Sequence, residues 1–416
     1  MQIRALSGLF LVAYCIRLGY AMLDVPVPPQ DTADYDELAL NVLQGAGYVS
    51  YENWYGFPMY SWRPPAYPLF LAAIYGAWGY SHAAVQVVQS AIGALSVLLL
   101  FLIMQRIYRP AAWPAAVVAA LYEPLVSVCS EVMSECLFIF FVLLALWAIR
   151  DRRQRWPMLV LSGVAIGLAA LTRPVGLLIL PALALVALCE REWTAWRSVA
   201  WAALAAVLVI APWTVRNAVV HDAFVPVSTH GGFIVARSNA IEPAWRQERG
   251  WGIDRAVFEA MPTEVERDRF WWKQGREFMF SNPLLYGRLV FERLLRFLYF
   301  FRPSYNAAFA TLLPFALLGL WRYGRRPEFR IESAFIGVST LVFCTLLYGS
   351  TRFRLPLEPL LIGFAAVYLS DAWSRWSHRL WASVVGGVLL LNLGLWLMGE
   401  RLRSIVLYGL DGLGLR

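Results

Sequence analysis

Charged residues are scarce in this sequence. Only 15% of its 416 residues are charged and 59% are hydrophobic, whereas soluble domains carry about a quarter charged residues. So little charge cannot cover the surface of a soluble chain of this length. The composition therefore excludes an ordinary soluble protein and predicts an integral membrane protein.

Lysine is rarer still, since Lys273 is the only one and arginine supplies nearly all of the positive charge behind the formal net charge of +8. The arginines stand in short clusters between apolar runs. This pattern is typical of the positive-inside rule, so the charge predicts a membrane topology and no nucleic-acid partner.

Cysteine and histidine are also few, with five and four residues. The cysteines lie mostly in or beside apolar runs without CxxC spacing, and the histidines are scattered. We therefore expect neither a disulfide framework nor a Cys/His metal site. No cofactor is predicted; a divalent metal stays an open alternative without support from the sequence.

Apolar runs, in contrast, are frequent. A spanning helix needs about 20 mainly apolar residues, and by that measure the sequence predicts an all-α polytopic membrane protein with about eleven transmembrane helices. Arg17 interrupts the first run and no cleavage site is clear, so this run predicts a retained helix and not a signal peptide. The predicted spans cover about 5–23, 82–104, 111–125, 131–149, 158–171, 175–188, 199–213, 307–321, 331–348, 356–370 and 380–398.

Two long regions between the spans are rich in polar and aromatic residues. They cover 24–80 and 214–306, and we expect the second to contain helices lying on the membrane surface. With the N-terminus inside the cell, the basic connections, such as RDRRQR at 150–155, all fall on the cytoplasmic side. Both long regions then share the opposite face of one transmembrane domain, 1–416.

Five sequence motifs meet on that opposite face. They are Asp31 and Tyr35 followed by RPPAYPLFLA at 63–72, EPLVSVCSEVMSE at 123–135, LTRP at 171–174, APWTVRN at 211–217 and RFRLPLEPLL at 352–361. In this order they resemble the bacterial branch of the polyprenyl-phosphate-dependent glycosyltransferases, which includes protein mannosyltransferases and the lipid A aminoarabinose transferase. The resemblance covers nearly the whole chain and implies the GT-C fold.

The resemblance also implies a reaction. An inverting enzyme of this family moves a sugar from a polyprenyl-phosphate-sugar donor to a lipid, glycan or protein acceptor, on the periplasmic or exterior face of the bacterial inner membrane. The acid matching Asp31 serves as the base or sits at the reaction centre. The commonest form has Asp-Glu there, whereas Thr32 replaces the Glu here. The role of a second carboxylate therefore stays open, with Asp34 as the candidate.

The residues support the same chemistry independently of the resemblance. An acceptor hydroxyl is a poor nucleophile until a positioned carboxylate takes its proton, and Asp31 is the best candidate for this role. Asp34 and Asp36 are alternatively explained as acids that begin a helix, where carboxylates suit the positive helix end.

Arginines are the candidates for binding the donor phosphate, which gains negative charge as the sugar departs. Arg63 matches the family position where a cation before Pro-Pro meets the phosphate. The alternative for each arginine is interfacial anchoring. The predicted phosphate ligands are Arg63, Arg352, Arg354, Arg216 and Arg173.

A sugar or acceptor pocket is predicted from polar and aromatic residues near these motifs. Glu135 lies at membrane depth, where a carboxylate is costly and usually functional or paired, so it could bind the sugar or position Arg173 or Arg63. Packing alone would account for Tyr67. The predicted pocket residues are Asp34, Tyr35, Tyr67, Glu135 and His230.

The alternative function is a transporter or flippase of a lipid-linked sugar. Such a protein should carry ionisable residues through both leaflets. In this sequence they cluster toward one face, which favours the enzyme. A purely structural protein would leave the grouped carboxylates and arginines unexplained.

Overall fold

The computed structural model describes residues 2–23, 30–51, 57–150, 155–239, 261, 263–298, 303–391 and 393–394. Regular structure in these ranges is helical, with one isolated antiparallel bridge between Ser50 and Met59. The helices are α1 (Gln2–Leu23), α2 (Gln30–Leu43), α3 (Ala66–Trp78), α4 (His82–Ile107), α5 (Ala112–Leu121), α6 (Glu123–Ser127), α7 (Glu135–Ile149), α8 (Trp156–Thr172), α9 (Ile179–Glu190), α10 (Trp193–His221), α11 (Gly231–Ser238), α12 (Glu264–Ser281), α13 (Pro283–Phe297), α14 (Pro303–Tyr323), α15 (Arg330–Thr345), α16 (Thr351–Arg354), α17 (Glu358–Arg375) and α18 (His378–Leu391).

Within the described ranges, four helical stretches are long and apolar enough to cross a membrane by themselves: Ile3–Leu23, His82–Ile107, Trp193–His221 and Thr351–Arg375. Six further helices are apolar but shorter, with 10–17 residues. The protein is therefore an all-α multi-pass membrane protein, as the sequence predicts. The count of eleven spans is not confirmed.

Small residues let the central helices approach closely. A Cβ atom at Gly163 in α8 would clash with the backbone oxygen of Ala202 in α10, and one at Gly167 would meet Val209 of the same helix. In a membrane, where lipid tails are as apolar as leucine, such close contact is a main source of helix association.

Two boundaries differ from the prediction. The predicted span 111–125 is two helices, α5 and α6, because the chain turns at Tyr122 just before Glu123-Pro124, where proline disfavours a continuing helix. The apolar helix α3 lies inside 24–80, a region predicted to hold no span. The predicted last span, 380–398, is helical to Leu391, and 395–398 lie outside the described residues.

Helix ends and connections meet at one end of the bundle. The N-terminal turns of α2, α7 and α11, the residue Arg173 after α8, and the four-residue helix α16 all reach this place. Gly349 supplies the turn before α16 with a φ of 59°, which disfavours other residues, and its Cα faces the backbone of Arg293. This convergence forms the cavity described next.

Candidate active site

A cavity of about 1190 Å³ opens at the convergence of these helix ends. Its wall contains residues from four of the five sequence motifs: Asp31, Arg63, Ser134, Arg173 and Arg352 all line it. The cavity exceeds the roughly 300–1,000 Å³ of typical small-molecule sites. It can therefore hold a ligand larger than one sugar.

Helix α2 points two carboxylates at one arginine. Asp31 and Asp34 are three residues apart, so they share a face of the helix. Arg63 Nη2 lies 2.7 Å from Asp31 Oδ1 and 2.7 Å from Asp34 Oδ2, and its Nε donates to Asp34 Oδ2 at 3.0 Å. The guanidinium also lies 5.3 Å from the centre of the Tyr35 ring. Arg63 is thus fixed on three sides.

A second arginine contacts the other carboxylate oxygen of Asp31. Arg352 Nη1 lies 2.7 Å from Asp31 Oδ2, and Arg352 Nε donates to Glu135. Arg173 forms an ion pair with the same Glu135 oxygen, Oε1. Glu135 is only 2% exposed, and a buried carboxylate is tolerated only when it is paired in this way.

We call these six residues the cavity cluster: Asp31, Asp34, Arg63, Glu135, Arg173 and Arg352. Three carboxylates face three guanidiniums, and together they join α2, α7 and α16 with the segments around Arg63 and Arg173. The cluster brings together residues up to 321 positions apart in sequence. The cations are already ordered where a phosphate could meet them.

The two acids on α2 differ in their proton affinity. Burial alone would raise the pKa of Asp31, but Arg63 and Arg352 outweigh it and hold this pKa well below its usual range. Burial raises the pKa of Asp34 above its usual value, and Arg63 offsets this only in part. Asp31 has an arginine on each oxygen, whereas Asp34 contacts Arg63 through Oδ2 alone.

Aromatic rings form another side of the cavity. His230 lines it with Trp62, whose ring centre lies 4.2 Å away, and with Phe233 at 5.6 Å. Burial lowers the pKa of His230 well below its usual value, and the charge of Arg63 adds to this, so the ring is neutral at pH 7. Tyr35 also lines the cavity and donates to Ser134 Oγ at 3.4 Å.

Three predicted site residues lie behind the cavity wall. Tyr67 is fully buried, and its hydroxyl donates to Gln89 Oε1 at 2.8 Å, so the packing explanation fits it. Arg354 is 2% exposed, pairs with Glu358 at 2.7 Å and lies over the Phe309 ring. Arg352 and Arg354 are two residues apart, about 200° around a helix. Only Arg352 can therefore face the cavity.

Arg216 is the third of these residues. Its guanidinium donates to the backbone oxygens of Tyr60 and Tyr48, at 2.6 and 2.8 Å, and lies 4.6 Å from the Trp213 ring. Neither Arg216 nor Arg354 lines the cavity, whereas Arg63, Arg173 and Arg352 do. The predicted role in phosphate binding is therefore carried forward for the latter three.

Asp36 also needs a correction, since it does more than begin a helix. It is 8% exposed and accepts hydrogen bonds from Tyr75 Oη at 2.6 Å and Tyr80 Oη at 3.1 Å. His82 Nε2 lies 2.7 Å from the same carboxylate. Asp36 therefore ties α2 to α3 and to the start of α4, on the face of α2 turned away from Asp31.

A cation and a tryptophan are among the cavity residues that the sequence analysis did not select. Arg237 in α11 lines the cavity with its guanidinium 5.4 Å from the Tyr348 ring, and Trp272 of α12 lies on the same side. Neither residue belongs to a motif. Only the packing of α11 against α12 could have indicated them.

A second polar cluster lies behind Trp62 and Arg63. Glu264 of α12 accepts hydrogen bonds from Tyr60 N at 2.8 Å and Ser61 N at 3.1 Å, and from the Thr229 hydroxyl. His221 Nε2 lies 2.8 Å from Ser61 Oγ, which also donates to Asn217 Oδ1 at 2.8 Å. We call this the Glu264 cluster: Ser61, Asn217, His221, Thr229 and Glu264. It holds together the segments that carry Arg63 and His230.

One turn along α12, Asp268 accepts a hydrogen bond from Gly232 N at 2.7 Å. Burial raises the pKa of Asp268 to about 7, although this hydrogen bond lowers it. A Cβ at Gly232 would clash with the Asp268 backbone oxygen. The glycine therefore allows α11 and α12 to pack tightly next to His230.

No group of three His, Cys, Asp or Glu that could hold a metal ion occurs among the residues that the structure describes. In the cavity itself, the carboxylates of Asp31, Asp34 and Glu135 already contact arginines. The cationic side chains of the cavity cluster that line the cavity are the guanidinium groups of Arg63, Arg173 and Arg352.

Comparison with known proteins gives the following matches. Residues 62–215 match the family model for dolichyl-phosphate-mannose-protein mannosyltransferase. Among curated proteins, no sequence matches the chain.

Solved structures are similar over most of the chain. ArnT from Cupriavidus metallidurans bound to undecaprenyl phosphate has 15% identity and a TM-score of 0.58, covering 94% of this chain and 63% of that one. The Archaeoglobus fulgidus oligosaccharyltransferase in the apo form has 13% identity and a TM-score of 0.59, covering 95% and 54%. The chain spans less than two thirds of the length of either protein, and it shares their GT-C fold.

Proposed function

We propose that this chain, which shares the GT-C fold and matches the mannosyltransferase family model over residues 62–215, transfers a sugar from a polyprenyl-phosphate-sugar donor to an acceptor hydroxyl. The observation that carries the proposal is the carboxylate of Asp31, which lies at the wall of the large cavity between Arg63 and Arg352. A proton acceptor and cations for a phosphate are thus within one site.

Asp31 is the proposed general base. The acceptor oxygen attacks the anomeric carbon while its proton moves to the Asp31 carboxylate. The bond from the anomeric carbon to the phosphate oxygen breaks, and the phosphate leaves with the electron pair as a polyprenyl phosphomonoester. One displacement of this kind inverts the configuration at the anomeric carbon.

Arginines are proposed to stabilise the departing phosphate. Arg63, Arg173 and Arg352 line the cavity within the cavity cluster, and Arg237 lines it from α11. Ordered cations stabilise developing negative charge without reorganising at the moment of reaction. Guanidinium groups also suit phosphate because they can donate two parallel hydrogen bonds.

The remaining cavity wall suits the rest of the donor. Leu178, Val342, Leu346 and Leu347 form an apolar side, which we assign to the first units of the polyprenyl chain. Trp62 and His230 form the aromatic side, which we assign to the sugar ring. The acceptor is a lipid, a glycan or a protein.

We further propose that the protein lies in the bacterial inner membrane with this cavity on the periplasmic or exterior face. The basic connections of the sequence support that orientation through the positive-inside rule. The flippase alternative requires ionisable groups through both leaflets. The six charged residues of the cavity cluster lie together at one end of the bundle instead.

The test is a transfer assay with the purified protein in lipid vesicles. A polyprenyl phosphate carrying a radiolabelled sugar should yield free polyprenyl phosphate and a labelled acceptor. NMR of the product should show that the anomeric configuration of the sugar is inverted relative to the donor. A labelled donor that crosses the vesicle membrane intact would instead support the flippase. A product with retained configuration would contradict the single displacement.

A further inference from the structure

Both oxygens of the proposed base are already engaged. Arg63 Nη2 contacts Asp31 Oδ1 and Arg352 Nη1 contacts Oδ2, each at 2.7 Å. A carboxylate between two guanidinium groups is strongly favoured in its ionised form, and it is a correspondingly weak proton acceptor. With both arginine contacts in place, Asp31 is correctly positioned but is a poor base.

The two arginines are not held equally. The side chain of Arg63 is 11% exposed and has two further contacts with Asp34. The side chain of Arg352 is 41% exposed and belongs to the four-residue helix α16. Of the two, Arg352 is therefore the one that can change its partner without breaking into the protein interior.

Glu135 gives Arg352 a second point of attachment. Its side chain is 3% exposed, and both Arg352 Nε and Arg173 Nη1 contact its Oε1 atom. The other oxygen, Glu135 Oε2, is buried and has no hydrogen-bond partner among the residues that the structure describes. An unsatisfied buried carboxylate oxygen is costly. Glu135 Oε2 can accept a hydrogen bond from the Arg352 guanidinium if that side chain shifts.

We propose that Arg352 exchanges Asp31 for the donor phosphate when the donor binds, while Glu135 keeps its hold on Arg352. This inference rests on the proposed function. The exchange releases Asp31 Oδ2, so the carboxylate becomes an effective base only when a sugar-phosphate is in place. Glu135 is then a positioning residue that never touches the substrate.

The exchange has a consequence that needs no assay of turnover. If Asp31 and the phosphate compete for Arg352, removal of the Asp31 charge should tighten binding of the phosphate. Loss of Arg352 should remove most of that gain, because Arg63, the other cation that contacts Asp31, stays paired with Asp34. Coupling between two residues that share a partner is measured by a double-mutant cycle.

The cycle uses polyprenyl phosphate as the probe, with wild type, Asp31→Asn, Arg352→Gln and the double variant in detergent. We expect Asp31→Asn to bind about tenfold tighter than wild type and Arg352→Gln about tenfold weaker, the scale of one charge-assisted hydrogen bond. In the Arg352→Gln background, Asp31→Asn should change the affinity by less than about threefold.

Asp34→Asn is the matched control, since it removes a neighbouring charge of the same helix face that pairs with Arg63 alone. Its effect on phosphate affinity should be the same with and without Arg352. If Arg352→Gln does not fold, Arg352→Lys replaces it, because an ammonium lacks the planar fork with which Arg352 contacts Glu135 through Nε and Asp31 through Nη1, and the gain from Asp31→Asn should shrink in the same way.

The outcomes separate the two proposals. An equal gain from Asp31→Asn in both backgrounds would mean simple charge repulsion and would overturn the exchange. No gain in either background would overturn it as well. Failure of the folded wild-type protein to bind polyprenyl phosphate would contradict the proposed function itself.

Discussion

The cavity cluster and the Glu264 cluster use the same side-chain chemistry for different ends. In the cavity cluster, carboxylates contact guanidinium groups, and Asp31 and Arg352 keep 27% and 41% of their side chains exposed. In the Glu264 cluster, the side chain of Glu264 is 5% exposed and accepts from two backbone N–H groups and a hydroxyl. The first can give its cations to a ligand, whereas the second can only hold segments of the chain together.

The largest expected effect falls on the base. Asp31→Asn keeps the size of the side chain but removes the proton acceptor, so turnover should fall on the order of a hundredfold or more while donor lipid still binds. The measurement is the single-turnover rate with bound donor. An inactive Asp34→Asn beside an active Asp31→Asn would move the base to Asp34 and contradict the assignment.

The next effect separates the two arginines that contact Asp31 from Arg354. Arg63→Ala and Arg352→Ala each remove a charge-assisted contact to phosphate, which should cost about 1.5–3 kcal/mol, roughly ten- to hundredfold in donor affinity or rate. Donor titrations of the folded variants give both values.

Arg354→Ala is the matched comparison, because its cation pairs with the buried Glu358. It should lower the melting temperature and leave the donor affinity of the remaining folded protein near that of wild type. A specific loss of donor affinity in Arg354→Ala, with unchanged melting temperature, would contradict the division between the two residues.

A smaller effect is expected in the Glu264 cluster. Glu264→Gln keeps one acceptor oxygen but loses the charge that two backbone N–H groups share, which should lower the free energy of unfolding by about 1–3 kcal/mol. Turnover per folded molecule should change less than about threefold, since Arg63 keeps its contacts with Asp31 and Asp34. Thermal unfolding in detergent and turnover on the same samples test this. A hundredfold loss of turnover without destabilisation would contradict the structural role of the Glu264 cluster.

The last expected effect concerns pH and stability. The pKa of Asp268 is raised from 3.8 to about 7, so its proton is bound more tightly in the folded protein than in the unfolded chain. Stability should therefore fall as pH rises from about 4 to about 7 and level off above that. Asp268→Asn should flatten this part of the melting-temperature profile; an unchanged profile would mean that other groups cause the slope.

The membrane helices could be predicted largely from the sequence, because a long apolar run is stable as a helix in the hydrocarbon core of the membrane. Helix α3 was missed, since it is 13 residues long and follows Pro64-Pro65 in a region rich in tyrosine and glycine. Asp36 was misassigned for another reason. Its partners Tyr75 and His82 lie 39 and 46 residues away, and no local periodicity indicates such contacts.

Site residues could be predicted where motifs contain acids and arginines suited to the chemistry. They could not be predicted where only the direction of a side chain decides whether it faces the cavity. Asp31, Arg63 and Arg173 lie at the cavity as expected. Arg352 and Arg354 are equivalent in sequence, and only the direction of α16 separates a cavity residue from a buried one. Arg237 and Trp272 depend on the packing of α11 on α12, which sequence periodicity does not reveal.

Mass spectrometry of the lipid that co-purifies with wild type and with Asp31→Asn tests the central claim most directly. A base variant that binds the donor without transferring its sugar should accumulate it. We predict that Asp31→Asn carries polyprenyl phosphate with its sugar attached, whereas wild type carries a larger share of bare polyprenyl phosphate. The same share of sugar-bearing lipid in both proteins, or no polyprenyl phosphate in either, would contradict the account.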